Sequence, residues 1–187
     1  MQLPKVGSLF KRVHSGSYML AWGTLAPEAP TTIVVTSPDF TEGGAIPGVF
    51  AGEGEGDNVS PALQWSGVPD GTRQLLLMVE DPDVPAPRPD NYLIARLDPS
   101  RSGVARGELN REAVNTGIVL HPNSFGRVGY AGPYPIRGHG PHRYVFQLFA
   151  LSKPLPLPAK AKRDEVANAT YGNILARGRI WATFERP

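Results

Sequence analysis

From Leu75 to Val79 every position is apolar, with Gln74 before the run and Glu80 after it. A segment with no polar side predicts a strand covered on both faces, spanning 73–80. A second such segment runs from His142 to Leu151, where Tyr144, Phe146 and Leu148 alternate with Val145, Gln147 and Phe149. Only Gln147 among those six is polar, so this strand too belongs inside a sheet. Thr31–Thr36 is β-branched and predicts a strand that Ser37-Pro38-Asp39 ends. Ala62–Trp65 predicts a short strand with Leu63 and Trp65 on one face. A turn at Ser66–Thr72, with Pro69 presetting φ and Gly71 able to adopt positive φ, leads into the central run. Asn91–Leu97 reads as the returning strand, and Ile118–Leu120 as a short one.

Helical spacing occurs from Ala159 to Arg177. Val166/Thr170 and Ala167/Tyr171/Ile174/Leu175 form adjoining stripes, with Lys160, Lys162, Arg163 and Asp164 outside them. Gly178 is expected to cap this helix, and Ile180–Glu185 to form the last strand. Residues 98–116 are polar, with a helical turn expected at Arg111–Val114. The glycines between Glu42 and Asn58 lack the lysine and following helix of a phosphate-cradling loop, so this segment reads as a surface loop. Pro122–Pro141 reads as a second long loop. Residues 1–30 read as an irregular N-terminal extension whose Leu9, Phe10, Tyr18 and Trp22 pack on the domain or on a partner chain. Strands without βαβ alternation predict one domain over 31–187: mainly β, a two-sheet antiparallel β-sandwich with a C-terminal α-helix.

Composition narrows the function. The 187 residues suffice for one well-buried domain, and 41% hydrophobic content argues against global disorder. A net charge of +2, without a basic stripe interleaved with aromatics, gives no reason to expect nucleic acid. Cysteine is absent, which removes disulfides, thiolate metal sites and a cysteine nucleophile, and fits a cytoplasmic location. No apolar run approaches the ~20 residues of a membrane span, and Met1–Trp22 lacks the apolar core of a signal peptide.

The candidate chemistry sits where the central strand ends, at Asp81-Pro82-Asp83-Val84-Pro85. Residues two apart on an extended chain point the same way, and proline stiffens what precedes it. The result is a rigid rim with two aligned carboxylates, although an Asx turn leaving a strand would have the same letters.

The order of motifs around that rim is more specific. Asn58-x-Ser60-Pro61-x-Leu63-x-Trp65 and Gly67-Val68-Pro69-x-Gly71-Thr72 precede it. Asn123-x-Phe125-Gly126, Gly129-Tyr130-x-Gly132-Pro133 and Gly140-x-His142-Arg143-Tyr144-x-Phe146 follow. Together they resemble the phosphatidylethanolamine-binding protein family, in its bacterial Raf-kinase-inhibitor-like branch, over about residues 31–186. The resemblance implies a sandwich of two antiparallel sheets and a small anion pocket at the end of the central sheet. The ligand-binding positions it implies are Asp81, Asp83, Pro85, Asn91, Tyr92, Gly132, Pro133 and His142. An aspartate beside an imidazole orients it and favours its charged form, and loop N–H groups would complete a site for a phosphate or carboxylate oxygen. Glycine at 132 would let the backbone come close to the ligand.

Two departures bear on that pocket. The family has histidine where this chain has Asn91, which donates hydrogen bonds but carries no charge. Tyr134-Pro135-Ile136 stands where bacterial relatives have Cys-Pro-Pro. His121, His139, Arg88 and Arg137 are the residues that could compensate.

The function expected is a small-anion or phospho-ligand binding protein without a cofactor. Its ligand would be a phosphorylated or carboxylated small molecule or lipid head group. The resemblance also implies regulation of a partner kinase or protease, and a homodimer. Alternatives are a weak hydrolase using Asp81, Asp83 and His142, or an interaction protein whose pocket is degenerate.

Overall fold

The computed structural model describes residues 14–110 and 117–187. Its strands are β1 (Val34–Thr36), β2 (Leu63–Ser66), β3 (Gln74–Asp81), β4 (Asp90–Leu97), β5 (Gly103–Val104), β6 (Val119–Leu120), β7 (His142–Leu151) and β8 (Ile174–Phe184). They form a three-stranded sheet, β1-β2-β5, and a five-stranded sheet, β6-β4-β3-β7-β8. Every named strand pair is antiparallel. Among the described residues there are two α-helices, α1 (Ala21–Thr24) and α2 (Arg163–Thr170), and two 3-10 turns, Ser17–Met19 and Gly48–Phe50. The mainly β, two-sheet architecture is the one the hydrophobic pattern predicts.

The fully apolar run of β3 is explained by two cores. Leu75, Leu77 and Val79 join the main core between the sheets, with Tyr144, Phe146 and Leu148 of β7. Leu76 and Met78 face the other way, into a second cluster with Ala21, Ile94, Phe149, Leu151, Ala161 and Val166. That cluster is covered by α2 and by the N-terminal segment around α1. Burying one leucine side chain contributes roughly 1.5–3 kcal/mol, so both covers are held firmly.

The C-terminal helix is shorter than its spacing suggests. It ends at Thr170, Gly172 turns the chain at φ +67°, and Ile174–Arg177 run as strand rather than helix. The exposed flank of β7 decides this: β8 pairs with it from His142↔Phe184 to Leu151↔Ile174, supplying ladder bonds that a longer helix would forfeit. Gly178 is therefore not a cap. It lies inside β8, where an added Cβ would stand 2.1 Å from the carbonyl oxygen of Ile33, so glycine lets β1's lead-in cross the strand.

The glycine-rich segment 42–58 is also more than a surface loop. Ile46 and Phe50 are in the main core, and Gly43 and Ile46 donate backbone N–H bonds to Trp181 and Thr183 of β8. The turn expected at Arg111–Val114 falls outside the described residues.

Candidate functional site

Strand parity brings the central chemistry together. Val79 pairs with Phe146 and Glu80 with Val145, so Asp81 continues the inner face of β3 and His142 lies diagonally across on the inner face of β7. Sixty residues of chain separate them, yet His142 Nδ1 stands 2.7 Å from Asp81 Oδ2. A carboxylate only accepts, so Nδ1 of His142 carries the proton. The second oxygen, Oδ1, takes the Asp83 backbone N–H at 2.8 Å, which shapes the rim turn. On the opposite ring nitrogen, His142 Nε2 meets His139 Nδ1 at 2.6 Å. Asp81, His142 and His139 are 0%, 1% and 4% exposed, so this column is closed to water as it stands.

Asp83 is aligned with Asp81 but has a different partner. Its carboxylate takes a fork from Arg143, Nε to Oδ2 at 2.8 Å and a terminal nitrogen to Oδ1 at 2.6 Å, plus the Arg143 backbone N–H at 2.9 Å. Burial pushes this carboxyl upward, but the Arg143 bonds outweigh it and hold Asp83 below the ordinary aspartate value. Pro85 is half-buried on the rim beyond it.

The register of β4 changes the role expected of Asn91. A bulge at Val79/Glu80 leaves Asn91 opposite Glu80, and puts Asp90 opposite Asp81. Asp90 is thus the second carboxylate beside Asp81. Burial first, and then the Asp81 charge, raises its carboxyl above the ordinary value. Asn91 is buried, donates its backbone N–H to Ser124 Oγ at 2.8 Å, and has an Oδ1 without a hydrogen-bond partner. Tyr92 is buried edge-on against both Tyr144 and Phe125. Its hydroxyl is pushed well up by burial and then by the Asp81 charge, so it stays protonated.

Gly132, but not Pro133, lines a groove of about 320 Å³ whose other walls include Gly52, Asn58, Phe125, Arg127 and Tyr134. Here Gly132 is needed for packing inside the protein. A Cβ would come 2.3 Å from the Phe50 carbonyl oxygen, and its N–H donates to Asn58 Oδ1 at 2.7 Å. Pro133 accepts the Gly52 N–H at 2.9 Å. Asp81 and His142 are not among the walls of this groove.

Of the four compensating residues, only His139 reaches the site. Arg88 pairs with Asp164, and Arg137 with Glu55. His121 bonds Arg96 and the Ala161 carbonyl on the outer side of the sheet. Among the described residues, no three histidine, aspartate or glutamate side chains are disposed to hold a metal ion, and no helix is long and apolar enough to cross a membrane.

Two contributions escaped sequence reasoning. Glu80 is fully buried on the outer face, where it takes the Ala21 N–H at 2.6 Å, the Gln147 amide at 3.0 Å and Arg163 Nε at 2.7 Å. It ties the N-terminal segment, β7 and α2 to one carboxylate. His14 reaches the rim from that segment, with Nδ1 3.1 Å from the Asp83 carbonyl oxygen and its ring 5.3 Å from that of His139. The polar letter ending an apolar strand was a visible signal for Glu80; nothing in the sequence pointed to His14.

Comparison with known proteins supports the same picture. The phosphatidylethanolamine-binding protein family model matches residues 36–185. An Aquifex aeolicus protein named UPF0098 is 38% identical over 153 residues, covering 81% of this chain and 88% of its own. A Mycobacterium tuberculosis candidate lipoprotein, LppC, is 35% identical over 162 residues, covering 87% and 76% respectively. The crystal structure of Escherichia coli YbcL, titled a new member of the mammalian PEBP family, superposes with a TM-score of 0.79 at 28% identity, covering 84% of this chain and 100% of YbcL.

Proposed function

From the premise that this chain belongs to the phosphatidylethanolamine-binding protein family, we propose that it binds a small phosphorylated or carboxylated ligand at His142. The observation that carries the reading is the carboxylate-backed imidazole. Asp81 holds Nδ1, so Nε2 is the atom left to meet a guest, and it already makes a hydrogen bond, to His139. A ligand oxygen taking the place of His139 Nδ1 would exchange one bond for another rather than bury a charge unpaired. His139 is flanked by Gly138 and Gly140 at φ +76° and +112°, on a loop whose tip residues Tyr134 and Ile136 are exposed. Such a loop can turn His139 aside at low conformational cost. An oxyanion is an acceptor, so the form of His142 that holds it is the one with Nε2 protonated.

This is a binding module rather than a catalyst. A hydrolase built on Asp81, Asp83 and His142 would need Asp83 available, and Asp83 is committed to Arg143. Placement in the cytoplasm belongs to the same reading and rests on the cysteine-free composition. One observation favours a second reading, a protein-interaction role with the pocket shut: Asp81, His142 and His139 are buried in mutual contact. Titration with inorganic phosphate and with acetate, beside His142→Ala, separates the two. The ligand reading expects the variant to lose about tenfold or more in affinity, the scale of one charge-assisted bond. Equal binding by wild type and variant refutes it.

A further inference from the structure

An arginine two residues beyond β8 holds down the loop that carries His139. We infer that Arg186 is a positioning residue of the His142 site. With Glu55 it latches the 133–141 loop shut, keeps His139 on His142, and so sets how readily a phosphate or carboxylate group reaches His142. The inference rests on the anion-binding reading and deepens it.

Strand pairing puts Arg186 in reach. β8 ends at Phe184, which pairs with His142 at the start of β7, so the chain just past β8 runs beside the residue that opens the site. Arg186 is buried and grips the loop on both sides of its turn. Before the turn, Nη1 donates to the Pro135 carbonyl at 3.0 Å, and the guanidinium lies 3.7 Å from the centroid of the Tyr134 ring. The turn itself closes with the His139 N–H on the Ile136 carbonyl at 3.1 Å. Within it, Gly138 donates its N–H to the Arg186 backbone carbonyl at 2.9 Å. His139 follows directly, with Nδ1 2.6 Å from His142 Nε2.

Glu55 fixes the latch to the rest of the molecule. Its Oε1 accepts Arg186 Nη2 at 2.7 Å and also a bond from Arg137 of the loop. The Arg186 bond holds the Glu55 carboxyl below the ordinary glutamate value, so the pair keeps its charges at neutral pH. Glu55 belongs to the glycine-rich 42–58 segment, which is anchored by Phe50 in the main core and by the Gly52 N–H on the Pro133 carbonyl at 2.9 Å.

A second buried arginine shows why this is a latch rather than a staple. All three guanidinium nitrogens of Arg96 are bonded, to His121 and to the Leu155 and Leu157 carbonyls. Arg186 Nε is buried with no hydrogen-bond partner. A fully paired donor resists release, whereas an orphaned one gains a bond to water when the group swings out. The groups it grips are also partly open: Tyr134 is exposed and the Glu55 side chain is 20% exposed, so water replaces these contacts as the loop lifts. A site that binds only while its loop is open has an apparent affinity reduced by the open fraction. Loosening the latch therefore tightens binding, the opposite of what losing a ligand contact or a structural prop does.

The test joins hydrogen exchange of the 133–141 loop in the ligand-free full chain with calorimetric titration by inorganic phosphate. Wild type is compared with Arg186→Ala, Glu55→Gln, His139→Ala, the double variant His139→Ala/Arg186→Ala, and His142→Ala. Melting curves check that each folds; should Arg186→Ala fail to, Glu55→Gln, a change at a partly exposed side chain, carries the test alone. The inference expects Arg186→Ala to speed loop exchange and to tighten phosphate about fivefold. Glu55→Gln is expected to do both by about twofold, the scale of one partly exposed ion pair. With His139 already removed, Arg186→Ala is expected to change phosphate affinity by less than about twofold, since nothing is left to latch over His142. Loop exchange that stays at the wild-type rate in the latch variants overturns the inference. So does phosphate binding in them that equals or falls below wild type while His142→Ala loses it; the inference then fails alone and the anion reading stands. A gain of equal size with and without His139 also overturns it. If His142→Ala binds phosphate as well as wild type, or if wild type and every variant fail to bind it, the anion reading itself falls, and this inference with it.

Discussion

Two histidines of this protein, His121 and His142, are equally buried and face partners of opposite charge. His121 is closed on both sides. Its Nδ1–H donates to the Ala161 carbonyl at 3.0 Å and its Nε2 accepts from Arg96 Nε at 2.9 Å. Arg96 then spends its remaining nitrogens on the Leu155 and Leu157 carbonyls at 2.7 and 2.8 Å. The ring is a neutral linker that staples the chain before α2 to the sheet. His142 has a carboxylate at one nitrogen and another imidazole at the other. The Arg96 cation beside His121 adds to burial in favouring the neutral ring, whereas the neighbour of His142 is a carboxylate. Burial therefore does not distinguish these two histidines; the sign of the neighbour does.

The largest expected effect breaks the structural member. His121→Ala leaves Arg96 buried without its Nε acceptor and should lower stability by about 2–3 kcal/mol in denaturant unfolding, with phosphate affinity unchanged. Loss of affinity would mean that the two histidines are not separate. The mirror change, His142→Ala, should cost binding about tenfold while His121 variants keep it. His139→Ala sharpens the contrast further. It removes the internal competitor, so phosphate should bind tighter by about 1 kcal/mol, the net worth of one hydrogen bond. Weaker binding would make His139 a ligand group rather than a plug.

Smaller effects come from pH. Burial first, and then the Arg96 charge, pushes His121 below the ordinary imidazole value, and the Ala161 bond only partly offsets this. Its contribution is complete above the unfolded value of about 6.5 and fades as pH falls below it, because only the unfolded chain accepts the proton readily. His121→Gln should flatten that part of the stability curve. Asp83, held low by Arg143, acts further down. Its contribution is complete above about pH 4 and is lost as pH falls through the lowered native value, a loss that Asp83→Asn should remove.

The same contrast explains what could be read in the letters. β3 and β7 were legible because long runs that are apolar, or apolar but for Gln147, have one stable location, between two covers. The meeting of Asp81 and His142 follows from the motifs that flank them, and strand parity explains it afterwards. Residues 174–177 misled because their helical stripe also fits a strand, and the flank of β7 settled the choice. Asn91 and Asp90 exchanged expected places because a bulge shifts register by one residue, and nothing in Val79-Glu80 announces it. His121, His139 and His142 look alike in sequence, since their partners come from Arg96 of β4, from His142 of β7 and from Asp81 of β3. His14 was invisible because the docking of the arm depends on a carboxylate sixty-six positions away, Glu80.

The central claim is that His142 Nε2 exchanges His139 for an oxyanion. A crystal soaked in phosphate tests this directly. The account predicts a phosphate oxygen within hydrogen-bond distance of His142 Nε2, with His139 turned out on its glycine-flanked loop. A fully ordered His139 still bonded to His142 at saturating phosphate would contradict it.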